Sequence, residues 1–141
     1  MARIQARAAA MQLIYEQMEG GDGEGTLGEL IGFTEDTAGG PEAFAEDSAL
    51  IRRLVDGVRE HAEELDKVIA GYLRGWTLER IARVDLCVLR LALYSLQYEQ
   101  DVPASVIIKE AVDMAGRYST DKSGSFVNGI LSAYMKDREN A

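Results

Sequence analysis

Residues 84–96 read Val-Asp-Leu-Cys-Val-Leu-Arg-Leu-Ala-Leu-Tyr-Ser-Leu, and this stretch decides the fold class. Placed on a helix, its apolar residues cover nearly every side, which is the pattern of a helix that is buried all round. We therefore predict a helix over about 78–99 at the centre of an all-α protein. Only two prolines occur in the 141 residues, so long stretches remain free to be helical.

Apolar residues recur at helical spacing on both sides of this central stretch. They predict a first helix over 3–18, a long element from Asp47 or Ser48 to Tyr72, and two further helices over 104–117 and 121–136. Gly57 either bends the long element or divides it. Residues 19–45 are predicted to be an acidic, glycine-rich connection, with a short helix near 26–33 as an alternative. The prediction is one compact domain over 1–141, with six or seven helices.

Charge and cysteine content narrow the classes of function. The net charge of −9 argues against general nucleic-acid affinity, because binding to phosphates depends on cation density. The acids concentrate in residues 19–60, so the first helix and the C-terminal half remain able to meet an anion. A single cysteine cannot form an internal disulfide, and neither a membrane span nor a signal peptide is recognisable. These features predict a cytoplasmic protein.

The sequence lacks the residue patterns that catalysis or metal binding needs. His61 has no second histidine or cysteine at ligand spacing, and Cys87 lies in the central apolar helix, where a thiol behaves as a small hydrophobe. The glycine run 20–25 lacks the Gly-Lys-Ser/Thr ending of a phosphate-binding loop. We therefore predict no enzyme activity, no metal and no cofactor.

Arg90 interrupts the central apolar helix and needs a partner. Burying an unpaired guanidinium would cost several kcal/mol, so a carboxylate is expected beside it. Glu110 or Asp113 on the following helix is the predicted partner. We favour a structural ion pair that fixes helix register over a ligand-binding role.

The segment 117–126 reads Arg-Tyr-Ser-Thr-Asp-Lys-Ser-Gly-Ser-Phe and can meet an anion. Small polar residues at a helix start expose backbone N–H groups, and Arg117 and Lys122 add positive charge. Tyr118 or Phe126 can stack on an unpaired base. The alternative is a plain helix cap with Phe126 in the core, and composition alone favours that alternative.

Five motifs follow one another along the chain. They are Arg7-Ala-Ala-Ala-Met-Gln-Leu-Ile-Tyr15, Val88-Leu-Arg-Leu-Ala-Leu-Tyr94, Asp101-Val-Pro103, Glu110-Ala-Val112 and Phe126-Val-Asn-Gly-Ile-Leu131. Together they resemble the NusB family of bacterial transcription antitermination factors over nearly the whole chain outside 19–45. The resemblance implies an all-helical protein of two small packed bundles. It also implies binding to the single-stranded boxA RNA of ribosomal RNA leader transcripts. The resemblance further implies that this RNA is bound together with NusE, a small-subunit ribosomal protein. The resulting complex lets RNA polymerase read through terminators in ribosomal RNA operons.

The resemblance also assigns roles to particular residues. RNA binding falls to Arg3 and Arg7 near the N-terminus and to Lys122, Ser123 and Phe126 in the later segment. The contact with NusE falls to Tyr15 and Asp85. We expect the first helix and the segment 117–126 to contribute to one RNA surface, and Arg7→Ala and Lys122→Ala to weaken RNA binding while helicity stays intact.

The chain departs from the family pattern at several positions, mainly by losing charge. The departures are Ile4-Gln5, Ala8, Ser95, Lys109 and Ser125. Fewer cations release fewer counterions, so RNA binding without NusE should be weak. A NusB-like protein adaptor with little RNA affinity is therefore the second hypothesis. A fragment of a ribosomal RNA methyltransferase is a third, but the chain has no room for a nucleotide-cofactor domain. Monomer and homodimer both remain open.

Overall fold

A computed structural model describes residues 3–20, 40–75, 77–99 and 101–140, with side chains from Ala6 in the first helix and from Ser48 in the second. These residues form six α-helices and no strand. The helices are α1 (Arg3–Met18), α2 (Gly40–Glu60), α3 (Ala62–Ala70), α4 (Arg83–Tyr98), α5 (Ala104–Tyr118) and α6 (Ser123–Glu139), and a 3-10 turn spans Leu78–Arg80. The predicted all-α fold with six or seven helices is confirmed.

The chain divides into two compact units, Met1–Glu60 and His61–Ala141. In the first unit α1 packs against α2. Small alanine side chains are buried on α1, and larger apolar side chains of both helices are buried with them. The buried aliphatic side chains of this unit are Ala6, Ala9, Ala10, Met11, Leu13, Ile14, Leu50, Ile51, Leu54, Val55 and Val58. Gly20 follows α1 with a φ of +99°, a backbone conformation that glycine adopts without strain.

The long predicted element differs from the observed one at its start and in the position of its break. It begins at Gly40, before the predicted cap at Asp47 or Ser48, so residues 40–45 are helical and the predicted connection is shorter at that end. Pro41 is tolerated because an N–H in the first helical turn has no intrahelical acceptor. The break falls at His61 (φ −106°, ψ 12°) and not at Gly57, which stays helical. Predictions for 21–39, including the helix near 26–33, lie outside the described residues.

The second unit is built around α4, which contacts α3, α5 and α6. Its buried positions are 85–89 and 91–96, so the prediction of a central helix buried on nearly every side is confirmed. The helix starts at Arg83 and not near 78, because Ile81 and Ala82 have extended ψ values of 138° and 137°. Pro103 precedes α5, where a proline costs no hydrogen bond.

Arg90 pairs with Asp66 of α3, so the predicted pairing with Glu110 or Asp113 is wrong. Arg90 Nε donates to Asp66 Oδ1 over 2.7 Å, and Arg90 Nη2 donates to Asp66 Oδ2 over 2.6 Å. The guanidinium lies on the side of α4 that meets α3, whereas Glu110 is buried on α5. This bidentate geometry fixes α3 against α4, which is the structural role that the sequence predicts for Arg90.

The single histidine packs against aromatic rings, and the single cysteine is buried in a helix. The His61 ring stacks on Tyr98 with centroids 4.8 Å apart and lies 6.0 Å from the Tyr94 ring. Cys87 is a buried free thiol in α4. Among the described side chains, no group of His, Cys, Asp or Glu residues is arranged to hold a metal ion. None of the described helices is both long and apolar enough to span a bilayer.

Candidate nucleic-acid interface

The turn between α5 and α6 is organised by one hydroxyl group. Ser123 Oγ donates to Asp85 Oδ2 on α4 over 3.0 Å and accepts from the Thr120 backbone N–H over 3.1 Å. The same oxygen lies 2.9 Å from Thr120 Oγ1 and 3.0 Å from Ser119 Oγ. These contacts tie the turn to the central helix of the unit, so the turn has a defined conformation.

Ser123 and Asp85 both lie inside the protein. Ser123 is 2% exposed and Asp85 is 7% exposed, and Asp85 Oδ1 is buried without a hydrogen-bond partner in the described part of the chain. The Ser123 side chain therefore faces inward in this conformation, although it was predicted as an RNA contact. Its geometry is that of a residue that positions the turn.

Two of the predicted RNA-binding side chains reach the surface around this turn. Lys122 is exposed and has no ion-pair partner among the described residues, and Phe126 is half-buried one helical turn further along α6. The Phe126 N–H donates to the Lys122 carbonyl over 3.1 Å, which places Lys122 at the N-cap of α6 and Phe126 on its first turn. The positive end of the helix dipole adds to the Lys122 charge, so this turn favours an anion.

The predicted residues of α1 belong to the first unit. Arg7 is 2% exposed and already has an interaction within the protein. A guanidinium so buried offers no surface to an RNA in this conformation. Tyr15 is 37% exposed while Leu13 and Ile14 beside it are buried, so its ring is accessible to a partner. The Arg3 side chain lies outside the described ones, and an RNA surface shared by α1 and the α5–α6 turn stays a prediction.

A groove that begins at Phe126 was not predicted from the sequence. It lies between the segment that follows α3 and one face of α6, and it consists of two adjoining hollows of about 320 Å³ and 380 Å³. The first hollow reaches Ser125 and Phe126, and the second reaches Ala133 and Asp137. Both are lined by Tyr72, Arg74, Gly129 and Ile130. The one signal in the sequence was Gly129, which stands in the last of the five motifs.

A hydrogen bond joins Tyr72 and Asp137 at the far end of the groove. Tyr72 Oη donates to Asp137 Oδ2 over 2.7 Å. This bond, with smaller contributions from burial and from the negative charge of Asp137, raises the pKa of Tyr72 from about 10 to about 12. The phenol is therefore neutral over the physiological range, and it engages the carboxylate at that end.

Comparisons with known proteins agree on one family. The NusB family model matches residues 4–136. The transcription antitermination protein NusB of Symbiobacterium thermophilum is 38% identical over 143 residues, which cover 100% of this chain and 94% of that protein. The corresponding protein of Clostridium botulinum (strain Kyoto / Type A2) is 34% identical over 142 residues, which cover 93% of this chain and 97% of that protein.

Solved structures give the same result for the fold. The NusB of T. maritima superimposes with a TM-score of 0.81 at 36% identity, over 96% of this chain and 92% of that chain. A chain from a crystal structure of the antitermination factors NusB and NusE in complex with dsRNA superimposes with a TM-score of 0.78 at 26% identity. That superposition covers 96% of each chain.

Proposed function

The chain belongs to the NusB family of transcription antitermination factors, a non-enzymatic family of RNA-binding proteins, and from that membership we propose that it binds boxA RNA together with NusE. In this proposal the RNA is the single-stranded boxA segment of a ribosomal RNA leader transcript. The complex forms in the cytoplasm and lets RNA polymerase read through terminators. The complex of NusB and NusE with dsRNA, formed by a relative of 26% identity, supports both partners.

The observation that carries the RNA half of the proposal is the fixed turn at the start of α6. Lys122 has no ion-pair partner among the described residues and offers its charge to a phosphate. The half-buried Phe126, which also has a contact within the protein, offers the accessible part of its ring to a base. Because Ser123 and Asp85 already hold the turn, little conformational entropy is lost when RNA binds. Arg3 and Arg7 would add charge from α1, and Arg7 can do so only if its side chain leaves its buried position.

The partner half of the proposal rests on charge and on one exposed ring. A net charge of −9 suits a basic ribosomal protein, since opposite potentials steer the two proteins together. Tyr15 supplies an accessible aromatic side chain of the kind that is enriched in protein interfaces. Asp85 is also proposed to contribute, although in this conformation its carboxylate is buried and accepts a hydrogen bond from Ser123.

A protein adaptor without RNA affinity is the second candidate. The burial of Arg7 favours it, because that arginine is then withdrawn from the cations available to a transcript. Under this reading Tyr15 still docks NusE, while Lys122 is an ordinary solvated lysine.

Binding of a boxA RNA and of a scrambled RNA of equal length, with and without NusE over a salt series, separates the two candidates. We expect a boxA preference that appears or sharpens when NusE is present. Lys122→Ala should lower the salt slope by about 0.7, the contribution of one phosphate contact on a single strand. Equal, weak binding to both RNAs under every condition would establish the adaptor and reject the RNA role.

A further inference from the structure

The groove between Leu73–Arg74 and α6 adjoins the proposed RNA-binding turn. Phe126 is half-buried on the first turn of α6 and also lines the nearer hollow, so any strand that reaches its ring is already at the mouth of the groove. The two hollows, of about 320 Å³ and 380 Å³, are within the size range of small-ligand sites, roughly 300–1,000 Å³. The groove is therefore continuous with the RNA surface and large enough for a nucleotide.

The charges in the groove favour a phosphate at one position. Arg74 is exposed at its edge, and no hydrogen bond or ion pair engages its side chain within the described residues. The carboxylate of Asp137, at the far end, already accepts the hydroxyl of Tyr72. A phosphate is therefore attracted to Arg74 and kept away from Asp137, while a base or a sugar can occupy the space between them.

Gly129 keeps the groove open. It is exposed on α6, lines both hollows, and has nothing within 4 Å of the position that a Cβ would occupy. An exposed glycine inside a helix lowers helix stability, so a longer side chain would be better for the helix alone. A side chain at this position would project into the space that a ligand would use.

We propose that this groove binds a nucleotide of the transcript that flanks the segment held at Lys122 and Phe126. Arg74 contacts its phosphate, and the base packs against Phe126 and the bare backbone of Gly129. This inference rests on the proposed RNA role. It adds a site, and an arginine, to those that the resemblance assigns. The continuity with Phe126, and the charge of Arg74, which no described residue pairs with, favour RNA over an apolar peptide.

The test compares three variants in the complex with NusE. Gly129→Gln fills the groove and Arg74→Ala removes its cation. Gly116→Gln is the matched control, because Gly116 is also an exposed helical glycine whose Cβ would meet nothing, and it lies outside the groove. Dissociation constants are measured for boxA RNA with and without flanking nucleotides, and unfolding midpoints for each variant.

Both groove variants should weaken binding of the longer RNA and leave the shorter RNA unaffected. We expect about a fivefold loss for Arg74→Ala at roughly 0.1 M salt, from one missing phosphate contact, and about tenfold for Gly129→Gln, from one unstacked base. Gly129→Gln should at the same time raise the unfolding midpoint by roughly 3 °C, as Gly116→Gln does without weakening RNA binding. Loss of affinity in a more stable protein cannot be ascribed to misfolding.

Several results would overturn the groove site. Normal binding of the longer RNA by Arg74→Ala and Gly129→Gln, with Lys122→Ala weakened, rejects the groove and keeps the proposed function. Loss of NusE binding with unchanged RNA binding would make the groove a protein-docking site instead. If the wild-type complex shows no boxA preference at all, the proposed function fails and the groove loses its ligand with it.

Discussion

Ser123 holds the α5–α6 turn through one oxygen atom, and its neighbours depend on that oxygen in different ways. The Ser123 oxygen accepts a hydrogen bond from the Thr120 backbone N–H. The Ser123 hydroxyl group donates to a buried carboxylate oxygen of Asp85. Asp85 Oδ1 is already without a partner among the described residues, so loss of the Ser123 hydroxyl would leave both of its oxygens unsatisfied. An effect of this residue on RNA binding would therefore be indirect.

Ser123→Ala should lower the free energy of unfolding by about 1–3 kcal/mol, the usual cost of a buried acceptor left unpaired. RNA affinity in the NusE complex should fall about fivefold, because a loosened turn must be ordered again on binding. Asp85→Asn is the matched control, since its amide oxygen can still accept from Ser123. With NusE at a saturating concentration, which compensates for any loss at the proposed NusE contact, it should retain most of the RNA affinity. Denaturant unfolding and RNA titration check both effects. Full RNA affinity in a destabilised Ser123→Ala variant would contradict the positioning role.

At the scale of elements, hydrophobic periodicity predicts the helices and which of them are buried. It does not predict contacts between residues that are far apart in the chain. The burial of α4 follows from residues 84–96 alone, because apolar side chains on every face leave no face for solvent. The helix break at His61 is not signalled by a glycine or a proline at that position. The Asp85–Ser123 bond joins residues 38 positions apart, and the groove is lined by the segment after α3 and by α6, so local patterns do not indicate that these residues meet.

The ion pair of Arg90 was likewise predictable in its kind but not in its partner. An arginine in an apolar helix correctly predicts a carboxylate partner, because the cost of an unpaired buried charge is general. Which helix supplies the carboxylate depends on which face of α4 meets α3, and the sequence leaves several acids available. The role was therefore predictable and the partner, Asp66, was not.

The contact between the segment after α3 and α6 gives a pH-dependent prediction. Tyr72 has a pKa of about 12 in the folded protein, above its ordinary value of about 10, mainly because its hydroxyl donates to Asp137. The folded state then holds this proton more tightly than the unfolded state, so the stabilisation is complete below pH 10 and is lost as pH rises through about 12. The difference in phenolate absorbance between wild type and Tyr72→Phe isolates this group. In Asp137→Ala the midpoint should return toward 10, and a wild-type midpoint already near 10 would contradict the contact.

At the scale of the whole molecule, the two units contribute different kinds of residue to the proposed role. His61–Ala141 carries an exposed lysine, without an ion-pair partner among the described residues, on a fixed turn, whereas Met1–Glu60 carries an exposed aromatic ring and a buried arginine. The resemblance treats Arg7 and Lys122 alike, as cations that meet RNA. Their surroundings differ, so substituting them should have different consequences for the fold.

Arg7→Ala should lower the free energy of unfolding by about 2–4 kcal/mol, since it removes a large buried side chain and leaves the group that this side chain contacts without its partner. Lys122→Ala, at an exposed position, should change it by no more than about 0.5 kcal/mol. This replaces the sequence-based expectation that both variants keep their helicity equally well. Thermal unfolding followed by circular dichroism gives the two stabilities, and RNA titration at a temperature where Arg7→Ala is still fully folded gives its binding. Normal RNA affinity there would make Arg7 a structural residue of the first unit, whereas weakened affinity in a folded variant would mean that its side chain leaves the interior when RNA binds. Equal, small stability changes in both variants would contradict the burial of Arg7 itself.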